Sequence, residues 1–446
     1  MRERVRVTPL GRWVDPAVVF AAVCGDADDA FWLDSGPGAT AGRSYLGRAA
    51  EIVTDFPDGV LAFLRGLDLD ADTTDAPPGF ALGWIGWLGY EVRGETLDVP
   101  VPAGERHPRA AWSRVDRAVA FDHARREVLL LSLGDVHAWR DEVLVALAAR
   151  PSLETPASSG LRKPALAARS RTPAHWAHTD DAYVAMIAAC QDAIRAGDAY
   201  QLCLTTAAEL GGSFDPVSVY TALRASSPTH HGALLRAGAT SLLSASPEQF
   251  LDVSPAGEVT TRPIKGTRAR GATEAVDRRL RQELTASDKE RAENVMIVDL
   301  MRNDLARVAE VGSVEVTSLL AVESYAQVHQ LVSTVRGRLR HGLTAVDAIE
   351  ACFPAGSMTG APKRSAVAIL QRLEQRPRGV YSGAFGYLGL DGALDLAMVI
   401  RSIVLDARGA TVGAGGGITA LSVPADELAE VKLKAAALLE VLGASG

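Results

Sequence analysis

A tight turn is the feature that narrows the fold most. Residues 118–133, AVAFDHARREVLLLSL, hold two strand-like apolar runs around a turn at Asp122 to Arg126. So short a connection returns the chain beside itself, as in a meander or hairpin. The run GFALGWIGWLGYEV at 79–92 is strand-like as well, and the first third of the chain reads as α+β. A second hairpin follows downstream, where SLLSASPEQFLDV and EVTTRPIKG flank Pro255-Ala256-Gly257-Glu258. A two-residue turn at Ala256-Gly257 pairs Pro255 with Glu258 and sets Glu248 directly across from Lys265. Opposed residues project from one sheet face with Cβ atoms roughly 5 Å apart. Taken alone, this pair reads as an ordinary surface ion pair.

Between the two halves lies PSLETPASSGLRKPALAARSRTPAHW, residues 151–176, rich in Pro, Ser, Ala and basic residues and without apolar periodicity. It reads as a linker or exposed loop separating an N-terminal region, 1–150, from a larger region, 177–446. The latter begins with a helix at about 180–196, a strand at 199–206 and a helix at about 215–225.

With 446 residues, 48% of them hydrophobic, the chain can bury a large core. Its net charge of −8, with basic and acidic residues mixed, gives no electrostatic reason to expect nucleic acid or an anionic membrane as partner. No apolar run reaches transmembrane length, and MRERVRVTPLGRWVDP leads into only a short apolar stretch, so a cytoplasmic location is expected. Cys24, Cys190, Cys203 and Cys352 are scattered without a C-x-x-C pair, which favours reduced, buried thiols. His175 and His178 stand three apart but read as a solvated helix start rather than a metal site.

Two helices carry the same device. SDKERAENVMIVDLMRNDLARV, 287–308, has an N-cap candidate in Ser287 or Asp288 and apolar residues at 295, 298, 301 and 305, with Glu290 and Glu293 on one face. PADELAEVKLKAAALLEVL, 424–442, repeats it with Glu427, Glu430 and then Lys434. Paired carboxylates repel by a few tenths of a kcal/mol unless a cation intervenes, and oxygen-only ligands suit a hard ion such as Mg²⁺. Each pair alone reads as a solvated helix face. CFPAGSMTGAPKRSA, 352–366, presents Ser357 and Thr359 before a helix, an arrangement suited to a carboxylate. VGAGGGITA, 412–420, reads as a second glycine turn after the strand-like DLAMVIRSIVLD, where Arg401 calls for a bidentate carboxylate partner from substrate or protein.

Together and in this order, SASPEQFL, RPIKGTRARG, DKERAENVMIVDLMRNDLARV, VHQLVSTVRGRL, CFPAGSMTGAPK, RGVYSGAFGYL, LAMVIRSIV, AGGGI and ELAEVKLKA resemble the chorismate-utilising enzymes, the family of anthranilate, aminodeoxychorismate, isochorismate and salicylate synthases. The resemblance covers 180–442 closely and the N-terminal third loosely, through LGWIGWLGYE and RSYLG. It implies two large antiparallel sheets packed as a sandwich, helices outside, and the site in the cleft between two subdomains.

The same resemblance implies roles. Anthranilate synthases carry alanine in P-I-A-G-T; PIKGT is similar to the branch that aminates chorismate at C4, where the lysine is a covalent nucleophile, here Lys265. Glu248 matches the general acid. Gln201 stands where water-adding members hold a lysine base, which favours ammonia over water as the incoming group. Glu290, Glu293, Glu427 and Glu430 would ring Mg²⁺; Tyr381, Arg401, Gly415 and Gly417 would hold the enolpyruvyl carboxylate. Thr267, Thr359 and Lys434 would line the site, with His329 near the ring. No cysteine lies in a nucleophile-elbow context, so ammonia is expected from a separate glutamine amidotransferase subunit in a heterodimer. The alternatives within the family are an anthranilate synthase and a 2-amino-2-deoxyisochorismate synthase component I.

Two departures from the family pattern stand out. Ala269 replaces a usual proline, a small loss of loop stiffness. In SSPTHHGALL, His230 and His231 stand where relatives with a tryptophan regulatory pocket carry an N-P-x-P-aromatic run, so tryptophan is expected neither to bind tightly nor to inhibit.

Overall fold

Strand pairing, almost all of it antiparallel, organises the chain. The computed structural model describes residues 3–25, 27–149, 172–325 and 328–445. Two large sheets carry the architecture, one of twelve strands and one of ten. The hairpin expected at 118–133 forms between Arg117–Asp122 and Glu127–Ser132 in the twelve-stranded sheet. That sheet also contains Ala30–Asp34, Arg43–Arg48, His231–Ala237, Thr240–Ser246, Ser402–Asp406, Gly409–Ile418 and Gln201–Gly211. The ten-stranded sheet contains Gly83–Leu88, Ala110–Val115, Ala384–Gly389, Leu394–Met398, Gln249–Val253, Glu258–Thr261, Val328–Arg338 and Ile264–Ala269. Strands from both ends of the chain therefore lie side by side in each sheet.

Side-chain alternation turns these sheets into a sandwich. Phe31, Leu235, Leu242 and Val404 of one sheet meet Ile85, Trp87, Phe385 and Ala397 of the other in a shared buried core. Their neighbours Trp32, Leu234 and Leu243 face outward under helices, and Trp84, Leu251 and Leu396 do the same on the other side. The helices Asp180–Arg195 and Pro216–Ser226 follow the sequence reading, capped by Thr179 and Asp215. The stretch read as a linker lies outside the described residues up to 171. Its end forms short strands, Thr172–Pro173 beside 444–445 and His175–Trp176 beside Ala208 and Glu209. His178 Nε2 donates to the Glu374 carbonyl at 3.1 Å and its Nδ1 meets the Thr206 hydroxyl at 2.9 Å, a packing role. All four cysteines are free and buried.

Two expectations are corrected. The hairpin register differs by one residue: Val253 pairs with Val259 and Asp252 with Thr260, leaving Pro255-Ala256-Gly257 as a three-residue loop. Gly257 takes φ +77, the left-handed position that such a loop requires. Lys265 lies beyond this hairpin on Ile264–Ala269 and pairs with Leu331, so it is not the cross-strand partner of Glu248. The glycines of 412–420 form no turn; they sit inside the strand Gly409–Ile418. A Cβ on Gly413 would stand 2.1 Å from the Tyr381 ring and one on Gly417 2.3 Å from Gln201 Nε2, so close packing excludes side chains there.

A buried guanidinium ties three segments together beneath the sheets' junction. Arg378 donates to the carbonyls of Met358 at 2.7 Å and Cys203 at 2.8 Å. It also meets both oxygens of Glu374, at 2.9 and 2.7 Å, and lies 4.3 Å from the Tyr90 ring centroid. Glu374 in turn accepts the Thr205 N–H at 2.9 Å. Removing one partner of such a buried pair strands the other charge, so Glu374→Gln is expected to lower stability by roughly 3–5 kcal/mol in urea unfolding; a loss below about 1 kcal/mol would contradict this role.

Candidate active site

The chain crosses from one sheet to the other twice at the same place. Thr240–Ser246 belongs to the twelve-stranded sheet and Gln249–Val253 to the ten-stranded one; Ser402–Asp406 and Leu394–Met398 divide in the same way. These segments are neighbours on both sides of the crossing, Ser244 pairing with Ser402 and Gln249 with Ala397. The crossings are themselves stitched, Met398 N–H to the Glu248 carbonyl at 3.0 Å and Ala245 N–H to the Arg401 carbonyl at 3.1 Å. Glu248 and Arg401 therefore sit at the two kinks. Arg401 adopts φ +51, a left-handed conformation uncommon outside glycine and held here by the strands on either side.

These kinks open on a cleft of about 600 Å³. Glu248, Lys265, Thr267, Tyr381, Arg401, Gly415, Gly417, Lys434 and all four glutamates Glu290, Glu293, Glu427 and Glu430 line it, as the sequence reading expected. Three expected residues do not. Thr359 is fully buried and donates to the Ala355 carbonyl at 3.2 Å, leaving Ser357 and Met358 to face the cleft. His329 is buried away from it, between Ser324 Oγ at 2.8 Å and Asp277 at 3.0 Å, and anchors the helix Glu274–Ala286. Gln201 is buried behind Gly417, with its Oε1 unpartnered among the described residues.

Local folding explains the lysine's setting. Register shifts between Lys265 and Thr267 make a bulge at Gly266, whose φ is +75. A Cβ there would stand 2.9 Å from the Glu290 carboxyl carbon and 2.7 Å from Leu284, so glycine admits the helix Asp288–Ala306 to the strand. Half-buried Lys265 makes no hydrogen bond or ion pair with a described residue, while its charge is felt by Glu248, Glu293 and Glu430. Burial raises the pKa of Glu248, against the Lys265 charge and hydrogen bonding from the Ser357 hydroxyl and Ile264 N–H. Burial likewise raises Glu293, against Lys265 and Lys289 and helped by Glu290 and Glu427. For Glu430 burial pushes upward too, but Lys434 at 2.6 Å outweighs it and the net shift is down. Arg401 keeps surface open to the cleft, yet the walls remove enough hydration to lower its pKa, opposed by Tyr381 and Glu430.

The four glutamates face one space from the helices Asp288–Ala306 and Pro424–Val441. Each of three has a cation: Arg268 lies 3.5 Å from Glu290, Lys289 3.3 Å from Glu427, and Lys434 beside Glu430. Among the described residues no three acidic, histidine or cysteine groups already share a coordination sphere. The donors still fit a hard divalent ion, which binds through one or two carboxylates and completes its shell with water and substrate. Lys289 and Arg268 were not anticipated; Lys289 directly precedes Glu290 in an acid-rich helix, where it reads as surface charge.

A second cavity, about 380 Å³, holds His230 and His231 on one side and Tyr45, Phe385 and Tyr387 on the other. Burial lowers both imidazoles to about 4, so the histidine wall is polar and uncharged at neutral pH.

Comparison with known proteins agrees with this architecture. The family model described as chorismate binding enzyme matches residues 28–440, and the chain belongs to that family. An aminodeoxychorismate synthase from Streptomyces griseus is 42% identical over 97% of this chain, which spans 63% of that relative's length. Anthranilate synthase component 1 from Streptomyces coelicolor is 38% identical over 96% of this chain and 86% of its own length. The crystal structure of anthranilate synthase component I from Streptococcus pneumoniae superposes with TM-score 0.72 at 28% identity, covering 98% of this chain and 93% of that one. No described helix is long and apolar enough to cross a membrane.

Proposed function

We propose that the chain aminates chorismate at C4 with ammonia, giving 4-amino-4-deoxychorismate, through a covalent intermediate on Lys265. The observation that carries this reading is the Lys265 amine: it enters the cleft without a hydrogen bond or ion pair to any described residue, and its charge is felt by a buried Glu248. A lysine held in a hydrogen-bonded salt bridge would serve structure; one left free beside an acid with a raised pKa suits nucleophilic and acid catalysis.

The neutral Lys265 amine bonds to C2, both conjugated ring double bonds shift by one position, and the C4 hydroxyl leaves as water with the proton of Glu248. Ammonia bonds to C4, both double bonds return to their original positions, and the C2–N bond to Lys265 breaks. The surplus proton of the new amine restores Glu248, and the enolpyruvyl group is retained. Arg401 and Tyr381, with the Gly413–Gly417 backbone, are proposed to hold the enolpyruvyl carboxylate. Glu290, Glu293, Glu427 and Glu430 are proposed to hold Mg²⁺, which would neutralise the ring carboxylate. Charge balance supports the ion: with Lys265 and Glu248 both neutral, the cleft sets four carboxylates against the four cations Arg268, Lys289, Arg401 and Lys434, so a dianionic substrate is neutralised by one divalent cation.

Ammonia is proposed to come from a separate glutamine amidotransferase and the product to serve p-aminobenzoate and folate synthesis in the cytoplasm. The 38% identical relative named anthranilate synthase component 1 supports the alternative, loss of pyruvate to give anthranilate. Chorismate, Mg²⁺ and ammonium salt separate the two by product mass and regiochemistry: the account expects C4 amination, and release of pyruvate or an amine at C2 refutes it. Lys265→Ala is expected to lower kcat by about 10²-fold or more, and Glu248→Gln by about 10²–10⁴-fold, with loss of the alkaline limb of the pH profile. That limb follows from the raised pKa, because activity needs the protonated acid and falls as pH rises through it. We propose in addition that tryptophan does not inhibit; inhibition at submillimolar concentration would overturn that.

A further inference from the structure

Among the cations paired with the four glutamates, Lys289 is the least anchored. Lys434 is held by Glu430 and by the Gly415 carbonyl at 3.0 Å, and Arg268 by Glu290 and the Thr267 carbonyl at 3.0 Å. Lys289 has one hydrogen bond to a described residue, to Glu427 Oε1 at 3.3 Å. Its side chain is 54% exposed, whereas that of Glu427 is 4% exposed and takes a second bond from Ser422 Oγ at 2.7 Å. A nearly buried carboxylate needs a counter-charge at all times. A half-exposed ammonium on a flexible four-carbon stem can supply one and leave.

We propose that Lys289 is a displaceable counter-ion of the metal cluster: it neutralises Glu427 while no divalent cation is bound and swings into solvent when one binds. This inference rests on the reading of the four glutamates as a divalent-cation site. The geometry supports displacement over co-ligation. The Lys289 ammonium already holds Oε1 of Glu427, a carboxylate that lines the cleft, and a divalent cation brought to the same carboxylate repels it. Lys289 would thereby set the concentration at which the cation binds and keep the helices Asp288–Ala306 and Pro424–Val441 from springing apart before it does.

The test is direct Mn²⁺ binding to the full chain, followed by electron paramagnetic resonance of the free ion, in wild type, Lys289→Met and Lys289→Arg. Methionine keeps the length of the stem and removes the charge, so affinity is expected to rise by roughly three- to tenfold, with wild-type affinity in the arginine variant. Thermal unfolding gives a second readout: without metal Lys289→Met is expected to melt below wild type, and on adding Mn²⁺ to gain more than wild type does. Unchanged or weaker Mn²⁺ binding in Lys289→Met, with wild type still binding, overturns this inference alone and makes Lys289 a fixed brace of the site. Absence of any Mn²⁺ binding that Glu293→Gln abolishes in wild type overturns the metal reading and this inference with it.

Discussion

Two adjacent strands that leave one sheet and join the other at the same level are the constraint on which this molecule depends. Each crossing breaks a strand at a residue that neither sheet can pair fully, and those residues are Glu248 and Arg401. Hydrogen bonds between the crossings, Met398 to Glu248 and Ala245 to Arg401, use the backbone of these two residues themselves. Their side chains are thus fixed by sheet formation, and the left-handed backbone of Arg401 is strain imposed by the surrounding strands.

Around these kinks the protein holds many charges at short range. Such a site is stable only if the charges answer each other, and here acids from two helices meet cations from a bulged strand and from the helices themselves. Glycine makes the approach possible. Gly266 lets Glu290 come against the lysine strand, while Gly413 and Gly417 let Tyr381 and Gln201 pack on the strand that forms the cleft wall. Arg378, buried beneath, joins the Met358 and Cys203 segments and keeps that wall in register with Glu374.

Much of this was legible in the chain, for local reasons. The hairpin at 117–132, the capped helices and the two acid-bearing helices follow from turn chemistry and apolar spacing, which act within a few residues. The motifs carried the family and brought Lys265, Glu248, Arg401 and the glutamates to one cleft. Long-range features were not legible. The loop at Pro255–Gly257 holds three residues rather than two, and the strand Glu258–Thr261 stops before Pro263, so Lys265 falls on a separate strand. The division of 394–406 between two sheets depends on partners far away in sequence. Consecutive glycines read equally as a turn or as a strand under close packing, and only Tyr381 and Gln201 decide between them. His329 and Thr359 carry polar groups suited to a ligand, but their hydrogen bonds are spent within the fold.

Intact-protein mass spectrometry of acid-quenched protein incubated with chorismate and Mg²⁺ but no ammonia reads out the proposed bond between the Lys265 nitrogen and the substrate ring. A population heavier by chorismate less one water is expected, mapped by proteolysis to the peptide containing Lys265 and missing in Lys265→Ala. Enzyme that turns over fully with ammonia yet never carries that mass, or carries it on another residue, would contradict it.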